Sequence, residues 1–170
     1  MVACQAMRVR ATIIAPKRIA EGGKWKLITG NSRMPKNAFP VGSGSPVVLA
    51  RNWHWRVDKL TDDNGTAYRL LTAYSDRLEE YRAWLAIDYE KTATVLVRYE
   101  FHGSHPGWHC HAPCDDVESG DMGALRMRHC PRVPRGTGFH SHQEFDISSQ
   151  ERALARSFRF FRVATEGDLI

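Results

Sequence analysis

The sequence predicts an α+β fold: a twisted antiparallel β-meander with a C-terminal helix packed on it. Three observations predict it. Apolar and polar residues alternate in four successive stretches between Trp53 and Phe101, the period of strands with two different faces. Turn signals separate these stretches, chief among them Asp63-Asn64-Gly65, where glycine tolerates the positive φ of a tight hairpin. Near the end, Leu154, Phe158 and Phe161 fall at i, i+4 and i+7, one stripe of a helix.

Taken in order, Arg8 to Ile14 alternates as a strand does, and Phe39-Pro-Val-Gly-Ser-Gly-Ser-Pro46 reads as a loop. Residues 1–50 are therefore expected to be a basic, loosely structured segment, and residues 51–170 a single domain. Trp53, Trp55 and Val57 open the meander, and Tyr68, Leu70, Thr72 and Tyr74 continue it after the Asn-Gly turn. Ser75 to Glu80 is a polar turn before Tyr81, Ala83, Leu85, Ile87 and Tyr89. A helix from Asp76 competes there, because Asp76 and Glu79 have capping-box spacing; the alternation favours the strand. Val95, Val97, Tyr99 and Phe101 form the clearest strand and lead into His102. After turn chemistry at Gly103–Gly107, Trp108 to His111 returns as a short strand. Asp115 to Pro134 reads as a long loop, and Ser148 or Ser149 caps the final helix.

The bulk numbers bound the class. At 170 residues, 42% hydrophobic and 25% charged, the chain has the composition of one globular domain. No stretch reaches the roughly 20 apolar residues of a membrane span, and the run from Ala11 to Ala15 is short for a signal-peptide core. No membrane association and a cytoplasmic location are expected. Residues 1–50 hold eight Lys/Arg and one acid, Glu21, a local charge of +7 within a total of +5. A basic arm on a near-neutral body suits a phosphate backbone or an acidic partner.

Seven of the eight histidines and three of the four cysteines lie between His102 and His142. Imidazole and thiol both ligate transition metals and titrate near neutral pH. In an extended Trp108–His111, His109 and His111 share one face and Cys110 the other. Two groupings follow. A histidine group comprises His102, His105, His109, His111, His140 and His142, of which His105, His109, His111 and His140 suit acid/base catalysis, with Arg132 and Arg135 as phosphate holders. Cys110, Cys114, His129 and Cys130 would make a Cys3His zinc site. Two histidines beside a phosphate cradle suffice to cleave RNA, one as base and one as acid. The leading expectation is thus a small nuclease-like enzyme acting on RNA by histidine acid/base or zinc-assisted phosphodiester cleavage. The rival is a non-catalytic zinc-stabilised module that binds nucleic acid or protein.

Two family patterns bear on this. Gly103-x5-His109-x-His111-x4-Asp116-x6-Gly123, followed by Pro134-x-Gly136-x3-His140, resembles the paired motifs of the cupin barrel, with Asp116 where that family has Glu. That resemblance implies a metal barrel using His109, His111, Asp116 and His140. Over roughly residues 66–162, the order Tyr68-Arg-Leu-Leu71, Arg98-Tyr-Glu-Phe-His102, His105-Pro106, His109-x-His111 and a short helix resembles small bacterial toxin-like proteins of toxin–antitoxin pairs. It implies a ribonuclease-like or nucleotide-modifying toxin neutralised by a protein partner, with His105, His109 and His111 as the positions carried across.

Overall fold

The computed structural model describes residues 9–41, 47–102, 105–111, 132–133 and 144–165, with backbone alone at 9, 10, 105, 106, 132 and 133. In chain order the elements are α1 (Val9–Ile14), β1 (Lys17–Glu21), β2 (Lys26–Leu27), β3 (His54–Asp62), β4 (Ala67–Ser75), β5 (Glu80–Asp88), β6 (Ala93–His102), β7 (His105–His111), β8 (Arg132–Val133), α2 (Gln150–Phe161) and β9 (Val163–Ala164). They form one curled sheet ordered β8-β7-β6-β5-β4-β3-β1-β9, with β2 also on β3. All neighbours pair antiparallel except β1 and β9. The meander β3–β7 with α2 packed on it is the fold the alternation predicted. Among the described residues no helix is long and apolar enough to cross a membrane.

The two faces of the sheet bury different partners. On the helix face, Leu60, Tyr68, Leu70, Tyr81, Leu85, Tyr99, Phe101 and Trp108 pack with Ala153, Phe158 and Phe161 of α2. Ser149 caps α2, its side chain accepting from the Arg152 backbone N–H. The Ser157 hydroxyl bonds those of Thr72, at 2.7 Å, and Tyr81, so the polar atoms buried beneath α2 are satisfied. On the second face, Trp55, Leu71, Ala73, Trp84 and Ala86 lie under Ile28, Met34, Phe39 and Leu49.

That second core corrects the expectation for residues 1–50. Their described part is built into the domain: β1 and β2 pair with β3, and Ile28, Met34, Phe39 and Leu49 are all buried. Position 50 therefore does not separate an arm from a body. The strand expected over Arg8–Ile14 is also corrected, since Val9–Ile14 is the helix α1. Its C-terminal carbonyls find an unusual partner. The buried Lys17 ammonium donates to the carbonyls of Thr12 (2.9 Å), Ile13 (3.1 Å) and Ala15 (2.8 Å). It also reaches Phe161 O at 3.4 Å, at the end of α2. A cation that satisfies these orphan carbonyls outweighs the strand preference of Val, Thr and Ile.

Two details of β6 and β7 set up the site. Leu85 pairs with Val97 but Ala86 with Val95, so Leu96 is an extra residue, and it joins Val97 in the helix-face core. Beyond the bulge, Tyr99 and Phe101 face α2, while Arg98, Glu100 and His102 face the other way.

Candidate metal centre

The β6–β7 pairing sets Glu100 opposite His109 and Arg98 opposite His111. Because side chains alternate along a strand, His109 and His111 emerge on the same side as Glu100. Trp108 and Cys110 emerge on the helix side, where Cys110 packs against the core. The face geometry expected of His-x-His is therefore present, and the carboxylate between the imidazoles comes from the preceding strand.

Four nitrogens converge on one oxygen, Glu100 Oε1. Arg98 Nη2 lies at 2.8 Å, His111 Nε2 at 3.0 Å, His109 Nε2 at 3.1 Å and His102 Nε2 at 3.4 Å. An oxygen with two lone pairs cannot accept four good hydrogen bonds. The ring of His109 sharpens the point. Its Nδ1 lies 3.2 Å from Gly107 O, which can only accept, so Nδ1 carries the proton. In the neutral ring Nε2 is then a lone pair aimed at a carboxylate oxygen. Two acceptors at that distance repel unless a cation, a proton or a metal ion, lies between them.

The spacing suits a metal ion. The ligand atoms of Glu100, His109 and His111 all lie within 4.8 Å of one another. With bonds of about 2.0–2.1 Å, neighbouring ligand atoms of a four- to six-coordinate ion sit roughly 2.9–3.4 Å apart. The observed N···O separations are 3.0 and 3.1 Å. A backbone carbonyl that fixes the tautomer by holding the far ring nitrogen is the usual outer support of a histidine ligand. Gly107 supplies that carbonyl with φ +108°, a conformation that glycine adopts without strain.

Burial grades the cluster. The side chains of His109 and Glu100 are 0% and 2% exposed, those of His111 and His102 14% and 17%. The floor is closed and the mouth is open, so an ion held there keeps a side accessible to solvent. Burial pushes the Glu100 carboxyl up, but the nearby imidazoles of His109 and His111 and the charge of Arg98 outweigh it. The net result holds Glu100 well below the usual carboxylate range, and it is therefore an anionic ligand. Beside it on β5, Arg82 pairs in register with Glu100. Its guanidinium lies 4.9 Å from the Trp53 ring centroid and 3.0 Å from Glu80.

The site residues expected from sequence divide four ways. His109 and His111 lie in the cluster. His105 pairs in register with His102, and Arg132 with His111, by backbone placement alone. Cys110 is a free thiol whose pKa burial raises, on the face away from the imidazoles. Cys114, Asp116, His129, Cys130, Arg135 and His140 lie outside the described residues. Glu100 was missed as a site residue. The signal that marks it is its parity with His102 in the strand before the His-x-His pair. Comparison with protein-family models, curated proteins and solved structures returns no match.

Proposed function

We propose that Glu100, His109 and His111 hold one divalent transition-metal ion, zinc being the best fit to a His2Glu set, and that the protein is a metal-dependent phosphodiesterase acting on RNA. The observation that carries the metal reading is the convergence of His109 Nε2 and His111 Nε2 on Glu100 Oε1 at 3.1 and 3.0 Å while Gly107 O lies 3.2 Å from His109 Nδ1. Three protein ligands leave a position for water, whose pKa such an ion lowers toward neutrality. His102, 3.4 Å from Glu100 and at the open side, is placed to take part in proton transfer or to complete the coordination. Arg98 and Arg82 put positive charge beside the anionic ligand, which favours a phosphate-bearing substrate. The positive net charge of the chain favours a polyanion in the same way. On this reading the likeness to toxin-like proteins extends to a cytoplasmic setting and a neutralising protein partner.

The test is cleavage of a single-stranded RNA by chelator-treated protein, before and after one equivalent of zinc or manganese. Cleavage that returns with metal and is absent in Glu100→Gln is the expected result. Cleavage that survives chelation and leaves 2′,3′-cyclic phosphate ends would transfer the chemistry to a metal-free histidine pair. Metal binding without cleavage of any RNA would remove the substrate and keep the centre.

A further inference from the structure

At the other end of the sheet, where β1, β3 and β4 adjoin, a cleft of about 470 Å³ is lined by Lys24, Lys26, Lys59 and Arg69, with Glu21 the carboxylate among its lining residues. Two of these cations are committed. Lys59 pairs with Glu21 at 2.6 Å. Arg69 is locked by Asp88 at 2.8 Å and by the carbonyls of Asn37, Ala38 and Glu90, which makes it a rigid wall. The ammonium of Lys26 sits 5.0 Å from the Trp55 ring centroid, and neither Lys26 nor Lys24 has an acidic partner among the described residues. Two exposed ammonium groups thus point their charge at a cleft that already carries a fixed guanidinium.

The segment bearing these lysines is seated on the sheet. Gly23 N–H donates to Asp58 Oδ1 at 2.8 Å, and Asp58, fully buried, is gripped by Arg56 at 2.6–2.9 Å. A Cβ on Gly23 would stand 2.1 Å from Val57 O, so only glycine lets the chain approach this closely. Arg56 and Asp58 therefore fix the turn from which Lys24 and Lys26 project. Anchoring of this kind lowers the ordering cost of binding a ligand.

We infer that this cleft is a second site, separate from the metal centre, that takes the phosphate groups of a small phosphate ester. The volume lies within the roughly 300–1,000 Å³ of small-molecule pockets, which favours a compact ligand over a long polymer. Lysine ammonium groups suit phosphate as point charges, and Arg69, its charge balanced by Asp88, forms a rigid wall behind them. This inference does not depend on what the metal centre does.

Titration of the ¹⁵N-labelled full chain with inorganic pyrophosphate tests it. Saturable one-to-one binding is expected, with shifts centred on Gly22–Leu27 and the Trp55 indole. Lys24→Gln/Lys26→Gln should weaken it at least tenfold while leaving the rest of the spectrum in place, and Lys91→Gln, an exposed cation elsewhere, should not change it. Non-saturating shifts, equal weakening by Lys91→Gln, or shifts confined to His109–His111 would overturn the proposal. So would a single-stranded oligonucleotide that binds far more tightly than pyrophosphate through the same two lysines, since that would assign the cleft to a nucleic-acid backbone.

Discussion

Lys17 shows how one side chain can set a local structure that its neighbours do not favour. Its ammonium gathers four backbone carbonyls from the ends of α1 and α2 and lies 5.2 Å from the Tyr68 ring centroid. Burial lowers its pKa from 10.5 to about 8, Asp62 pulling it up and Arg162 pulling it further down. The folded protein therefore releases this proton at lower pH than the unfolded chain does. Between about 8 and 10.5 the unfolded state binds more protons, so this group makes stability rise with pH across that window. Urea unfolding at a series of pH values should show that rise in the wild type relative to Lys17→Met. Parallel curves for the two proteins would refute it. Glu100 is the other residue on which much turns, because its carboxylate joins the imidazoles of β7 to β6.

At the scale of elements, the β6–β7 hairpin is the unit that makes the centre. Its register is regular from Arg98↔His111 to Phe101↔Trp108 and then shifts, so that His102 meets His105. This explains why Glu100 was not legible as a ligand: the parity of two strands can be read from sequence, but not the register across a turn that contains a shift. Gly107 makes a prediction at this scale. A side chain at φ +108° is strained, and relief of that strain moves the carbonyl that holds His109. Gly107→Ala should cost about 1–2 kcal/mol of stability and weaken metal binding by roughly 10- to 100-fold, the usual effect of losing an outer-shell partner. Unchanged metal affinity by competition with a chromophoric chelator would show that the carbonyl does not orient the ring. The helix α2 was more readable. Its cap at Ser149 and its buried Phe158 and Phe161 follow the predicted pattern, although the buried stripe is centred on Ala153 and Ser157, with Leu154 at its edge.

For the whole molecule, the meander was legible because each strand faces two different neighbours, α2 on one side and the N-terminal segment or the imidazole cluster on the other. The segment that covers the second face was not legible. Ile28, Met34, Phe39 and Leu49 are single plugs at irregular spacing, with no period for sequence reading to find, and the Lys, Gly and Pro residues around them resemble a loose arm. This cover spreads over β3–β5 and the start of β6 at Ala93 and Val95, and the imidazoles and Glu100 occupy the same face beyond it. The division between a packed and a chemically equipped half is what gives the centre its closed floor and open mouth. Metal content by plasma mass spectrometry, on untagged wild type, Glu100→Gln and Cys110→Ser purified without added metal, tests that account most directly. About one ion per chain in the wild type and in Cys110→Ser, and almost none in Glu100→Gln with the fold retained by circular dichroism, is the predicted result. Full occupancy in Glu100→Gln with loss in Cys110→Ser would contradict it and move the metal to the thiol face.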